Sequence, residues 1–232
     1  MHRCRPVALL SLLSVPASAY CLLAAQSRHR SIATAPLWSA TLIRGRPPQM
    51  EDTFSLVRSL NKNDNKNENE HGATESDSPI HNNVTYAAVF DGHCGSACAQ
   101  AAAQTLHLQL AANPSFVKGE FEGALREVIP AWDRHWLNEA RRLGRDDGTT
   151  AVLALVQETT ITVAHVGDSR AILVDLHSGT AQSLTKDHKV TDPVEKKRTL
   201  ARGGLISWGY VVNPETGYGL AITRALGDAS FK

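Results

Sequence analysis

Runs of apolar residues alternate with polar stretches along most of the chain and predict its regular elements. Residues 84–90 are short, β-branched and aromatic, which predicts a buried strand. Residues 96–112 are rich in Ala, Gln and Leu and predict a helix that ends near Pro114. Residues 120–143 predict a second, amphipathic helix that is broken or restarted at Pro130, because proline lacks the N–H of a helix interior.

The hydrophobic period then shortens, which indicates strands. Three apolar runs, at residues 149–156, 160–166 and 171–175, are separated by turns and predict an antiparallel meander. Strands followed by helices and again by strands favour the α+β class.

A further helix is predicted from its end signals. Asp192 has the side chain of an N-cap, Pro193 suits the first helical position, and Glu195 would complete a capping box. The glycine pair at 203–204 would end this helix.

Two segments are predicted to lie outside the folded core. Residues 61–83 are polar, rich in Asn and without periodicity, so we expect a disordered insertion. Residues 1–40 contain Arg and Ser but no acidic residue, which is typical of a mitochondrial transit peptide. A secretory signal cleaved after residues 17–19, or a membrane anchor formed by residues 7–25, remains an alternative. A domain is then predicted over residues 41–232, with membrane contact only if the anchor is uncleaved.

The charge is unevenly distributed, although the net charge of the 232 residues is only +1. Residues 1–50 hold six Arg and no Asp or Glu, so the rest of the chain carries 18 basic and 23 acidic residues. A mildly acidic body has no electrostatic footprint for nucleic acid, and we expect no such partner.

Acidic residues recur beside glycine or at the ends of apolar runs. They include Glu51 and Asp52, Asp91 before Gly92, and Asp168 after an apolar run. Carboxylates at strand ends and in tight turns are suitable ligands for hard divalent cations. One Asp-Gly pair indicates only a turn, but several in order between predicted strands point to a metal site.

The ordered set of motifs resembles the metal-dependent serine/threonine protein phosphatases, the PPM or type 2C family, with mitochondrial members among those it is similar to. The resemblance runs from Arg44 to Lys232 and rests on RGRPPQMED (44–52), VFDGH (89–93), DGTTA (147–151), VGDSRA (166–171), LTKDHK (184–189) and YGLAITRALGD (218–228). It implies an α/β/β/α sandwich of two antiparallel sheets flanked by helices. It also implies hydrolysis of phosphoserine and phosphothreonine in proteins by a metal-activated water.

The resemblance implies roles for the acidic residues. Asp91 would bridge two Mg²⁺ or Mn²⁺ ions, Gly92 would offer its carbonyl oxygen, and Glu51 and Asp52 would lie at the metals. Asp168 would contribute to a third, weaker ion site; a local ion pair between Asp168 and its neighbour Arg170 is the structural alternative.

Other site residues follow from the same resemblance. His93 would be the general acid that protonates the departing oxygen. Relatives place a phosphate-binding arginine where this chain has Pro47, so Arg46 or Arg44 is the candidate for that contact.

Several motif residues are interpreted as structural. The hydroxyls of Thr149 and Thr150 are expected to bond to the backbone, and Arg224 and Asp228 to form a turn with an ion pair.

Relatives continue past the position of Lys232 with two further metal-ligand aspartates. We therefore expect the C-terminal part of the domain to be missing here. An inactive regulator that binds phosphoproteins is the alternative to an active enzyme. Either function predicts a phosphoprotein partner for a monomeric protein.

Overall fold

The computed structural model describes residues 50–60, 84–157, 160–175 and 178–232 with their side chains, and three N-terminal strands by their backbone. The strands are β1 Ala8–Leu13, β2 Ala19–Gln26, β3 Leu37–Arg44, β4 Thr53–Val57, β5 Thr85–Phe90, β6 Gly92–His93, β7 Gly148–Thr149, β8 Ala151–Gln157, β9 Thr160–Val166, β10 Arg170–Asp175, β11 Thr180–Ser183, β12 Leu205–Ser207, β13 Tyr210–Val212, β14 Gly219–Leu220 and β15 Leu226–Gly227. The helices are α1 Ala97–Ala112, α2 Pro114–Val117, α3 Phe121–Leu143 and α4 Pro193–Ala201, with a 3₁₀ turn at Ala229–Phe231. The predicted insertion at residues 61–83 and the candidate Arg46 lie outside the described residues.

Two antiparallel sheets form the centre of the fold. One has the strand order β4-β5-β8-β9 and the other β11-β10-β1-β2-β3. β1 and β2 fall within residues 1–40, for which a targeting role stays a prediction. Among the helices of the described residues, none combines the length and apolar character needed to cross a bilayer.

The strand β5 is buried on both faces and shows how the layers pack. Tyr86, Ala88 and Phe90 belong to a core shared with α1 and α3. Ala87 and Val89 point the other way, into a second core that includes Ala171 of β10. Because successive side chains of a strand alternate, one strand contributes to both interfaces. The α+β class is confirmed, with helices, the first sheet and the second sheet in successive layers.

The helix prediction at Pro130 is wrong. The structure has one continuous helix, α3, through this residue. Pro130 is exposed, so solvent can satisfy the carbonyl that its missing N–H would have bonded. Val128 and Trp132 on either side are buried in the core and hold the helix together across it. The predicted helix at α1 is confirmed.

The predicted meander is wrong in its third strand. β9 pairs with β8, but β10 leaves this sheet and pairs with β1 and β11 in the other. The turn that redirects the chain contains Gly167, whose φ is +92°. Ala171 then enters the core between the sheets. Alternating apolar runs cannot distinguish a return within one sheet from a crossing to another.

Candidate active site

A small three-stranded sheet at the end of β5 collects the motif segments. β6 pairs with β7, and β7 pairs with β15, all antiparallel. In this register His93 and Gly227 both lie opposite Gly148, on its two sides. Three motifs that are far apart in the sequence therefore meet within two strand spacings.

Asp52 and Asp91 form a carboxyl pair. Thr53 at the start of β4 lies opposite Phe90 at the end of β5, so the residues flanking these two come together. The Asp91 and Asp52 side chains are hydrogen-bonded to each other. Burial, then the charge and hydrogen bond of Asp52, and then the charge of Asp168 raise the pKa of Asp91 to about 8, although His93 lowers it.

Backbone contacts fix Asp91 in place. Its N–H donates to Thr150 Oγ1 at 3.2 Å, and its carbonyl accepts from the Thr150 N–H at 2.9 Å. The Thr150 hydroxyl also bonds to the Ser169 hydroxyl at 2.6 Å, and Thr149 Oγ1 donates to the Thr150 carbonyl at 2.8 Å. The prediction that both threonine hydroxyls bond to the backbone is confirmed.

Glu51 lies against the loop that follows Asp91. Glu51 Oε1 accepts from the Gly95 N–H at 2.9 Å. A Cβ on Gly92 would lie 2.5 Å from the Glu51 carbonyl oxygen, which is closer than a Cβ can approach without a clash. Glycine at position 92 therefore allows the two backbones to meet, and it brings Glu51 beside His93.

His93 is held by a residue that was expected to act elsewhere. Its Nε2 lies 2.8 Å from Asp228 Oδ1. Burial lowers the pKa of His93, but the hydrogen bond and charge of Asp228, together with the charges of Asp91 and Glu51, outweigh it. The pKa of His93 therefore lies above its ordinary value.

The expected ion pair between Asp228 and Arg224 is wrong, because Arg224 binds Glu195. Arg224 Nε donates to Glu195 Oε2 at 2.8 Å, and its Nη2 bonds to Oε1. The same carboxylate accepts from Arg198 Nη2 at 3.1 Å and from the Thr223 hydroxyl at 2.7 Å.

Glu195 consequently makes no capping box. It is 4% exposed and turned into the fold, where two guanidinium groups compensate for its burial. Asp192 is the N-cap as predicted, since its Oδ1 accepts from the Val194 N–H at 2.9 Å. The helix ends at the predicted glycines, whose N–H groups bond to Leu200 and Thr199 carbonyls.

Asp168 does not pair with Arg170. Arg170 makes two hydrogen bonds to Asp187, at 2.8 and 2.9 Å, whereas the buried Asp168 lies 2.8 Å from Lys189 Nζ. The fork of Arg170 matches the two oxygens of Asp187, which a neighbour in the turn cannot present. Asp168 still lies close enough to raise the pKa of Asp91.

The side chains around Asp91 meet only part of the needs of a divalent cation. Within residues 50–60, 84–157, 160–175 and 178–232, no three His, Cys, Asp or Glu side chains are arranged to hold a metal ion. Asp52 and Asp91 nevertheless place two carboxyl groups side by side, Asp52 buried and Asp91 partly buried. Such a pair suits a hard cation, which takes oxygen ligands and keeps several waters. Asp168 does not fit as a ligand while Lys189 occupies it.

The structure therefore brings together Glu51, Asp52, Asp91, Gly92 and His93, with Asp168 at the margin. Arg44 is described only as the last backbone position of β3, so its predicted phosphate contact stays a prediction, as does that of Arg46.

The sequence reading missed two partners of these site residues, Asp228 and Lys189. Asp228 carried a signal, since Gly227-Asp228 repeats the Gly-Asp pairing of Gly167-Asp168. Lys189 carried none, because a lysine beside a turn is usually solvated.

Two antiparallel sheets, flanking helices and an acidic cluster beside a histidine at one end of the central strand are the features of the PPM-type α+β fold. Residues 48–232 match the family model described as Protein phosphatase 2C, and the chain belongs to this family.

Curated relatives agree with this family. The chain is 31% identical over 196 residues to Protein phosphatase 2C homolog 2 of Aspergillus fumigatus, covering 84% of this chain and 43% of that protein. It is 39% identical over 150 residues to human Protein phosphatase 1F, covering 63% of this chain and 31% of that protein. The chain thus spans less than half the length of these relatives.

A solved structure of serine-threonine phosphatase 2C from Toxoplasma gondii shares the fold. The TM-score is 0.64 with 19% sequence identity, over 98% of this chain and 72% of that one.

Proposed function

We propose that this protein hydrolyses phosphoserine and phosphothreonine in proteins with the help of divalent cations, Mg²⁺ or Mn²⁺. The observation that carries the proposal is the covered Asp52–Asp91 carboxyl pair beside His93, in a member of the protein phosphatase 2C family. Phosphate monoesters carry two negative charges, so an acidic site suits them only when cations are present.

Each residue of the site has a separate role in the proposed reaction. Asp91 and Asp52 would hold the cations, with the Gly92 carbonyl as a further oxygen donor and Glu51 nearby. Bound cations lower the pKa of water and neutralise the phosphoryl oxygens. His93 lies beside this pair and would donate a proton to the departing seryl or threonyl oxygen. A third, weaker ion at Asp168 would require Lys189 to move away.

The test is hydrolysis of a phosphothreonine peptide by the purified protein, with Mn²⁺ and with EDTA. We expect turnover only with Mn²⁺, and a loss of about 100-fold or more in Asp91→Asn. Glu122→Gln is the control, because Glu122 is exposed on α3 and pairs with Arg126 one helical turn away. Peptide binding without turnover in the wild type would favour the regulator instead. Equal turnover in Asp91→Asn and wild type would exclude the proposed site.

We also propose that residues 1–40 direct the protein to mitochondria. The support is the Arg-rich, acid-free composition of this segment. A fluorescent protein fused behind residues 1–40 should colocalise with a mitochondrial marker. Residues 83–85, Asn-Val-Thr, form an N-glycosylation sequon. Signal in the secretory pathway, or a glycan on Asn83, would contradict the proposal.

A further inference from the structure

The contact between His93 and Asp228 depends on a missing side chain. Both strands flanking Gly148 present their site residues toward it: His93 is opposite Gly148 on one side, and Gly227, next to Asp228, is opposite on the other. A Cβ at position 148 would overlap the carboxylate of Asp228. The carboxylate therefore crosses the central strand over bare backbone and reaches the imidazole.

The backbone at Asp228 is held in an unusual conformation. Its φ is +54°, in the left-handed region that L residues other than Asn and Asp rarely adopt. Neighbouring bonds impose it: the Gly227 N–H donates to Asp133 Oδ1 at 2.8 Å, and the Ser230 N–H donates to Asp146 Oδ1 at 2.8 Å. Backbone strain of this kind persists only where the surroundings enforce it, and it is concentrated at functional sites.

Among the described residues, only one oxygen of the buried Asp228 carboxylate has a hydrogen-bond partner. The residue is 3% exposed, and Oδ1 bonds to His93. Oδ2 is buried and has no hydrogen-bond partner among the described residues. A purely structural carboxylate would be expected to have both oxygens satisfied. This one is aimed at a single imidazole.

We propose that Asp228 is the positioning residue for His93: it binds the ring through Nε2, so that Nδ1 is the nitrogen that donates to the leaving oxygen. The inference rests on the proposed phosphatase function. As water adds its oxygen to phosphorus, the ester P–O bond breaks and its electron pair stays on the seryl oxygen. The Nδ1 proton moves to that oxygen and gives a neutral hydroxyl, while the Nε2 proton stays against Asp228. Solvent then returns a proton to Nδ1.

The experiment compares two substrates that differ in their need for an acid. An alkyl phosphate such as a phosphoserine peptide requires protonation of its leaving oxygen, whereas p-nitrophenyl phosphate releases a stable anion. We expect Asp228→Asn, which tolerates the same backbone conformation, to lower kcat on the peptide about 100-fold with KM unchanged. On p-nitrophenyl phosphate the loss should be no more than about threefold. His93→Gln should show the same split, and the double variant no further loss, since the two residues act as a unit. Glu122→Gln, at an exposed residue of α3 that pairs only with its helical neighbour Arg126 among the described residues, should match wild type on both substrates.

A second measurement tests the geometry without turnover. Long-range ¹H–¹⁵N NMR correlations of the metal-free protein should show neutral His93 protonated at Nε2, and Asp228→Ala should lose this preference. An equal loss on both substrates in Asp228→Asn, or protonation of wild-type His93 at Nδ1, would overturn the inference. A wild type inactive on both substrates, but protonated at Nε2, would refute the proposed function while supporting the contact.

Discussion

Replacing Glu195 by Gln should destabilise the fold far more than a similar change on the surface. The Glu195 carboxylate accepts hydrogen bonds from Arg224, Arg198 and Thr223. It connects α4 to the segment that leads into β15 and Asp228. The hydrogen bond to Arg224, more than any other contact, lowers the pKa of Glu195 well below its usual range in spite of burial. Gln would keep the size and lose the charge.

The magnitude follows from the exposure of the partners. Breaking a fully buried ion pair costs about 3–5 kcal/mol. Here the carboxylate is 5% exposed, but the side chains of Arg198 and Arg224 are 28% and 41% exposed and keep part of their hydration. Solvent screening reduces the cost, so we expect about 2 kcal/mol of lost unfolding free energy. For a domain of this size that is about 4–8 °C in Tm.

The assay is urea and thermal unfolding of the two Glu→Gln variants at residues 195 and 122. Glu122 pairs with Arg126 one helical turn away, both at about three-quarters exposure, and should contribute only about 0.3–0.5 kcal/mol. Because the folded-state pKa of Glu195 is depressed, its contribution is complete above pH 4.5 and is lost as the pH falls further. Equal effects of the two substitutions, or an effect at residue 195 that grows on acidification, would refute the reasoning.

Three further predictions concern the site and its supports. The pKa of Asp91 is about 8 against an ordinary 3.8, so between these pH values the metal-free folded state binds a proton that the unfolded state has lost. The free energy of unfolding should therefore fall as the pH rises from 3.8 to about 8. Asp91→Asn should flatten this pH dependence in urea unfolding, and an unchanged pH dependence would contradict the prediction. Gly148→Ala should lower the free energy of unfolding by about 1–3 kcal/mol, because the new Cβ would overlap Asp228. Gly123→Ala lies inside α3, and its Cβ would meet only Ser115 at 4.0 Å, so it should raise the free energy of unfolding by about 0.5–1 kcal/mol. The reverse order of the two variants in thermal melts would refute both predictions. Iodoacetamide should modify the exposed Cys94 before Cys98, which peptide mapping can measure. Burial shields Cys98 from the reagent and raises the pKa of its thiol. Faster labelling of Cys98 would be incompatible with the core packing.

Local patterns were sufficient where one interaction decides the structure. The buried strand β5, the helix α1 and the N-cap at Asp192 each follow from neighbours in the sequence, and the structure confirms them. The family resemblance also predicted that Asp52, Asp91 and His93 would lie together. These residues flank strands, and strand ends of an antiparallel pair lie side by side.

The failures share one physical cause, which is competition between partners distant in the sequence. Glu195 has the spacing of a capping box, but hydrogen bonds from two charged arginines stabilise its carboxylate more than a single backbone N–H would. Asp168 sits beside Arg170 in the sequence, yet the guanidinium finds a better-shaped carboxylate 17 residues away. Charged side chains are long and their pairing is set by tertiary geometry, so sequence adjacency predicts it poorly.

Two glycines, Gly92 and Gly148, allow the acidic groups of the site to come close together. At position 92 a side chain would strike the backbone of Glu51, and at position 148 it would strike Asp228. Each glycine thus allows one more carboxylate to approach the histidine than a sheet of ordinary residues would permit. The carboxyl groups of the same site are costly to ionise in the metal-free protein, because burial and then the neighbouring Asp52 and Asp168 raise the pKa of Asp91. The proposed cations would reduce this repulsion, and the two glycines are what allow Glu51 and Asp228 to lie beside the histidine.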